Sequence, residues 1–90
     1  MKVYTDVFKK PLDKHEVAAV VRQMVAEKRP STSFITRRFG IGYGKALNIM
    51  LLLEDAGVVG PLMSGRRTVI LKDIETAVNA ALRQLRKGNK

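Results

Sequence analysis

Five cations and no carboxylate lie between residues 28 and 53: Lys28, Arg29, Arg37, Arg38 and Lys45. Over all 90 residues the formal net charge is +9, and the pI is about 10.4. Lysine and arginine side chains neutralise nucleic-acid phosphates and release their condensed counterions. This release dominates the affinity of a protein for nucleic acid. A solvated surface that only keeps a small protein soluble is the alternative interpretation. The charge pattern favours a face that binds a polyanion.

Side chains for catalysis or metal binding are scarce. The sequence has no cysteine and a single histidine, His15, which excludes thiolate and multi-histidine metal sites. We expect His15 to lie on the surface of a first helical turn. No apolar run approaches the 18 residues of a membrane span. We therefore expect a protein that is not an enzyme, has no cofactor, metal or membrane contact, and is cytoplasmic and nucleoid-associated.

Three helices are predicted to position the basic stretch. Asp13 and Glu16 have the spacing of a capping box, and apolar residues at helical spacing follow them until Pro30 ends the helix. A second helix is predicted from about Thr32 to Phe39, with Ser31 or Thr32 as its cap. Glycines at 40 and 42 predict a turn, and a third helix is predicted from about Tyr43 to Ala56, where Gly57 stops it.

A hairpin and a last helix complete the predicted fold. Apolar runs at 58–59 and 68–71 flank a segment rich in glycine and arginine, which predicts a β-hairpin with a long tip. Asp73 is positioned to cap a final amphipathic helix. The predicted fold is mainly α with a small β-hairpin, a winged helix-turn-helix plus an extra C-terminal helix. We divide the chain into an N-terminal arm at 1–11, a winged-helix domain at 12–72, and a C-terminal helix with a basic tail at 73–90.

The stretch from Ser31 to Leu71 resembles the gamma domain at the C-terminus of the FtsK/SpoIIIE DNA translocases, a winged helix that reads short orienting sequences in chromosomal DNA. The matching motifs are Ser31-Thr32-Ser33, Arg37-Arg38-Phe39, Ile41-Gly42-Tyr43, Lys45-Ala46, residues 54–61, and Arg66-Arg67-Thr68-Val69. The family pattern R-I-G-Y-N-R-A-A-R is replaced by G-I-G-Y-G-K-A-L-N at 40–48. This change removes one asparagine and two arginines and turns a third arginine into lysine. The resemblance thus implies the fold more strongly than the DNA sequence preference, and the translocase motor is not expected here.

A winged helix on DNA would use three groups of residues. The second helix would cross the phosphate backbone and supply Ser31, Ser33, Thr36, Arg37 and Arg38, although the hydroxyls near its start could serve only as caps. The third helix would enter the major groove with Gly42, Tyr43, Gly44, Lys45 and Asn48. Lysine can donate to guanine and asparagine can pair with adenine, while Tyr43 could instead pack beneath the turn. The hairpin would present Arg66 and Arg67 to the backbone or minor groove, unless its tip is simply solvated.

The third helix also carries an apolar patch outside its core face, formed by Leu47 and Leu51. We expect the final helix to cover this patch, either in the same chain or from a second copy in a homodimer. The leading function is double-stranded DNA binding by a small regulator or accessory factor, in transcription, plasmid or mobile-element maintenance, or recombination. The alternatives are a protein-interaction winged helix that contacts a recombinase or another DNA-processing partner, and a nucleoid protein that binds DNA without sequence preference.

Overall fold

A computed structural model describes residues 4–5 and 10–88 of the chain. Four helices make up most of these residues: α1 at Lys14–Glu27, α2 at Thr32–Phe39, α3 at Tyr43–Asp55 and α4 at Ile74–Gly88. The mainly helical class is therefore confirmed, while the winged-helix assignment stays a prediction. None of these helices combines the length and apolarity that a membrane crossing requires. Lys2, Lys9 and Lys90, which belong to the predicted arm and basic tail, lie outside the described residues.

The helix ends follow local chemistry. The Asp13 carboxylate accepts a hydrogen bond from the Glu16 N–H at 2.9 Å and caps α1, as predicted. The α1 helix ends at Lys28, which adopts a left-handed φ of 56° before Pro30 is reached. Ser31 caps α2 by accepting from the Phe34 N–H at 3.4 Å. Gly40, with φ of 63°, ends α2 in a conformation that glycine adopts without steric cost.

The core lies between the apolar stripes of α1, α3 and α4. Its largest fully buried side chains are Val17, Val20, Val21, Met24, Ile35, Ile49, Met50, Leu52, Leu53, Val58 and Val59. The α4 helix packs chiefly along α1 and buries its own stripe there, through Ala77, Val78, Ala81 and Leu85. Within the chain, α4 does not cover the apolar patch, because Leu51 stays 41% exposed and the stripe of α4 is already occupied, so this alternative is wrong. Cover by a second copy stays a prediction.

The N-terminal residues close the domain against α3 and α4. The Tyr4 ring is buried, and its hydroxyl donates to Asp55 Oδ2 at 2.5 Å and accepts from Gln84 Nε2 at 2.9 Å. The Leu12 N–H donates to the Tyr4 carbonyl at 3.1 Å, beside an isolated bridge between Thr5 and Pro11. These described residues of the predicted arm therefore pack on the helices.

Residues 58–71 form what we call the paired loop. In place of extended strands, it has isolated antiparallel bridges that join Val59 to Val69 and Met63 to Arg66. Ser64 and Gly65 have φ of 52° and 75°, and positive φ at both central residues is the signature of a type I′ turn. The tip is thus a two-residue turn and the predicted long tip is wrong.

The start of α4 gives the first testable prediction. The Asp73 carboxylate accepts from the Thr76 N–H at 2.9 Å and from the Thr76 hydroxyl at 2.8 Å. The hydrogen bond from the Thr76 N–H has the largest effect and the one from the Thr76 hydroxyl the next largest. Together they hold the pKa of the Asp73 carboxyl below its ordinary value. A lowered pKa in the folded state contributes stability above the unfolded pKa, and this contribution is lost as the pH falls through the folded pKa. We expect Asp73→Ala to lower the melting temperature at pH 7 and to matter progressively less below about pH 4.

Calorimetry of the wild type, Asp73→Ala and Asp73→Asn between pH 7 and pH 2 measures this effect. The asparagine variant keeps a capping acceptor without a titrating group, so its loss at pH 7 should be the smaller one. An alanine effect of equal size at pH 7 and at pH 2 would show that the charge on Asp73 does not stabilise the cap.

Candidate nucleic-acid interface

The start of α2, the first half of α3 and the tip of the paired loop surround one open groove of about 370 Å³. Its lining residues come from segments that are far apart in the sequence: Pro30, Ser31, Thr32, Ser33, Tyr43, Leu47, Leu62, Gly65, Arg66 and Arg67. The groove thus brings together members of all three groups that were predicted from the sequence. Among the described residues, no acidic side chain lines it.

The α2 end of the groove is suited to an anion. The first intrahelical bond of α2 runs from the Ile35 N–H to the Ser31 carbonyl at 3.1 Å, and the N–H groups before it have no acceptor within the helix. Ser31 and Ser33 are exposed, and the first turn contains no carboxylate. Hydroxyls, free N–H groups and the positive end of the helix dipole all favour a phosphate at this position.

The two arginines of the paired loop have different surroundings. Arg66 is exposed and has no acidic partner among the described residues. The Arg67 side chain is only 7% exposed, and its Nη1 lies 2.6 Å from Glu54 Oε1 and 3.1 Å from the Gly60 carbonyl. Arg67 therefore fastens the loop to the end of α3. The contact of these arginines with DNA stays a prediction: the Arg67 guanidinium is already bonded inside the protein, whereas Arg66 is exposed.

At the start of α3, Tyr43 points into solvent with 66% of its surface exposed. The alternative interpretation, in which this ring packs beneath the turn, is wrong. Gly42 is the N-cap residue of α3 and is exposed, and Gly44 is half-buried in the first turn. Gly42 has no side chain, so, unlike Ser31 in α2, the capping residue of α3 accepts no hydrogen bond from the N–H groups of this turn through a side chain.

The two polar residues predicted to read bases are engaged within the protein. Lys45 Nζ lies 2.7 Å from Glu16 Oε1 on α1, and both side chains are half-buried. Asn48 Nδ2 donates to the Thr5 carbonyl at 2.7 Å. These contacts direct Lys45 towards α1 and Asn48 towards the N-terminal residues. Neither side chain lines the groove, so the structure does not place them with Tyr43 and Arg66.

A second basic area lies at the end of α2. Arg37 and Arg38 line a shallow depression together with Glu27, Arg29 and Phe34. Arg38 forms an ion pair with Glu27 and lies over the Phe34 ring, 5.6 Å from its centroid. Thr36 uses its hydroxyl to donate to the Ser33 carbonyl at 2.8 Å. Arg37 is thus the freer cation of this area, and all three predicted residues lie outside the groove.

Sequence reasoning missed Leu62, which lines the groove with 62% of its surface exposed. A signal was available, since an apolar residue between Pro61 and the loop tip has no core to fill. In the described part of the chain, His, Asp and Glu side chains form no cluster able to hold a metal ion.

Together these features define a small basic helical domain with an acid-free groove suited to a polyanion. The chain belongs to the FtsK gamma domain family, whose model matches residues 13–72, and the resemblance noted from the sequence is confirmed.

Curated relatives include the DNA translocases FtsK of Brucella melitensis, 45% identical over 56 residues, and of Mesorhizobium japonicum, 41% identical over 56 residues. The DNA translocase FtsK of Caulobacter vibrioides is 40% identical over 57 residues. These matches cover 61 to 62% of this chain but only 6% of each relative. No solved structure shows significant similarity to the chain.

Proposed function

We propose that this protein binds double-stranded DNA with sequence preference, as a winged helix that serves as a small regulator or accessory factor. The groove carries this proposal, because it joins the anion-binding end of α2, the exposed start of α3 and the free Arg66. The FtsK gamma family membership of residues 13–72 supports it. Because the chain spans only 6% of its translocase relatives, translocation is not part of the proposal.

In the proposed complex, the phosphate backbone of one DNA strand lies along the groove. The hydroxyls of Ser31 and Ser33 and the first N–H groups of α2 bind one phosphate, and Arg66 binds another from the opposite wall. The start of α3, with Gly42, Tyr43 and Gly44, enters the adjacent major groove. Arg37 and Arg38 at the far end of α2 are positioned for the next stretch of backbone.

Three predicted contact residues have a positioning role in this proposal. Lys45 joins α3 to α1 through Glu16, Asn48 joins α3 to the N-terminal residues, and Arg67 joins the paired loop to α3. They fix the angle of α3 and the paired loop against the rest of the domain, so that the duplex meets a preformed surface.

Selection from a random duplex library, followed by salt titration of the selected site, tests the proposal. We expect a specific site, and we expect Arg66→Ala to weaken binding to every duplex and to reduce the slope of log K against log salt by about 0.9, the value of one lost phosphate contact. Arg83→Ala on α4 is the matched control, because it removes the same charge from an exposed residue outside the groove.

Each alternative has its own outcome. Equal affinity for random and selected duplexes would indicate a nucleoid protein without sequence preference. Weak DNA binding at physiological salt, together with tight binding to a recombinase or another DNA-processing protein, would indicate the interaction module. Equal salt slopes for Arg66→Ala and Arg83→Ala would show that the groove is not the DNA-binding surface.

A further inference from the structure

The outer face of α3 is apolar. Tyr43, Leu47 and Leu51 follow one another at a spacing of four residues, which places them on one side of the helix. Tyr43 and Leu51 are exposed, and Leu47 is half-buried and lines the groove. Large apolar side chains that remain exposed on a compact domain mark an interaction surface.

The charges around this face are complementary to DNA. Both acidic residues at the end of α3 are bonded within the protein, Glu54 to Arg67 and Asp55 to the Tyr4 hydroxyl. Arg66 is exposed beside the face, and the α2 terminus lies next to it. A phosphate backbone would therefore approach without meeting an unpaired carboxylate at the groove, whereas an acid-rich surround would disfavour it.

Two hydrogen-bonding side chains of α3, Lys45 and Asn48, point away from this face. Lys45 is paired with Glu16, and Asn48 donates to the Thr5 carbonyl. Using either on a base would first require breaking a contact that is already made at 2.7 Å. Leu47 and Leu51 present only aliphatic carbons on the outer face, and these carbons cannot read donor and acceptor patterns; Tyr43, at the start of the face, keeps an exposed hydroxyl. The two leucines can recognise the one apolar group that the major groove presents, the C5-methyl of thymine.

We propose that α3 selects its DNA site by apolar contact of Leu47 and Leu51 with thymine methyl groups, so that the preferred site carries thymines at defined positions. This inference rests on the proposed function, and it names the chemical feature of the duplex that is recognised. The half-buried Gly44, one turn before Leu47 and Asn48, supports close approach of the helix because it adds no side chain to that face.

Replacing thymine by deoxyuridine, one position at a time, in the selected duplex tests the inference. The exchange removes one methyl group and leaves every hydrogen-bonding atom of the base in place. We expect about a fourfold loss of affinity at each contacted position, from the burial energy of one methyl group. Leu47→Ala and Leu51→Ala should each bind thymine and deoxyuridine almost equally at the position that the truncated leucine contacts, and keep the sensitivity at the position of the other leucine.

Two kinds of control separate reading from folding. Ile70→Ala truncates an exposed apolar residue on the paired loop, and it should keep the full sensitivity to deoxyuridine. Asn48→Ala removes a contact that positions α3, so affinity should fall for all duplexes alike while the preference for thymine over deoxyuridine is kept. Melting curves of the Leu47 and Leu51 variants confirm that each is folded at the assay temperature.

The outcomes distinguish the two levels of inference. A selected site that is bound specifically but tolerates deoxyuridine everywhere would overturn thymine reading and leave the proposed function standing. Loss of site preference in Asn48→Ala with sensitivity unchanged in Leu51→Ala would also overturn it, in favour of hydrogen-bond readout. Failure to select any site or to bind any duplex would overturn the proposed function and this inference together.

Discussion

Replacing Leu52 by alanine should lower the free energy of unfolding by about 3 kcal/mol, within the range of buried leucine truncations. Its neighbour Leu51 is chemically identical and one position away, yet Leu51→Ala should cost less than about 0.5 kcal/mol. The difference arises from burial, because Leu52 is fully buried in the core and Leu51 is 41% exposed. Alanine at 52 leaves a cavity that the surrounding helices fill only in part.

Urea denaturation followed by far-UV circular dichroism measures both variants under identical conditions. A domain of this size has about 5 to 15 kcal/mol of stability in total, so Leu52→Ala removes a large fraction of it. The Leu51 variant is the matched control for composition, helix propensity and position. Equal losses at the two positions would contradict the orientation of α3, and with it the outer face assigned to DNA.

Replacing Arg67 by alanine should cost about 2 kcal/mol, because the change breaks charge-assisted hydrogen bonds and leaves their acceptors unpaired. The guanidinium is almost fully buried between Glu54 Oε1 and the Gly60 carbonyl. Gly60 is itself buried, so its carbonyl has little access to water in the variant. The paired loop would lose its attachment to α3 and with it the geometry of one wall of the groove.

The neighbouring Arg66 supplies the comparison. Arg66→Ala removes an exposed side chain with no acidic partner in the described residues, so the melting temperature should hardly change while DNA affinity falls. For Arg67→Ala, both the melting temperature and the DNA affinity should fall. A stable Arg67→Ala protein that loses DNA affinity as strongly as Arg66→Ala would show that Arg67 contacts phosphate directly and that its bond to Glu54 opens in the complex.

The local features of this chain could be predicted from the sequence because they depend on residues a few positions apart. Asp13 and Ser31 cap α1 and α2 because each side chain accepts a hydrogen bond from the N–H group three residues later. Capping preference is therefore a short-range property. The apolar period of α4 likewise predicted its buried stripe. The same period does not specify which helix the stripe packs against. The packing of α4 on α1, and not on Leu51, could therefore not be predicted from the sequence.

Several residues that line the groove were named from the sequence, but the orientation of the side chains around it was not predicted. Whether Lys45 meets a base or Glu16, and whether Arg67 meets phosphate or Glu54, depends on contacts between elements that the sequence pattern leaves unordered. Asn48 shows this most clearly, because its partner is a backbone carbonyl 43 positions away. Every residue has such a carbonyl, so no sequence signal distinguishes Thr5 as the acceptor.

The Tyr4 hydroxyl forms hydrogen bonds with Asp55 and Gln84, which lie 51 and 80 positions after Tyr4 in the chain. Closing a loop of 80 residues costs about 2 kcal/mol more chain entropy than closing one of 10. The turn between α2 and α3 is a local contact and can form before that cost is met. We therefore expect the helices that carry the groove to assemble early, and the first and last segments to dock together at the end of the reaction.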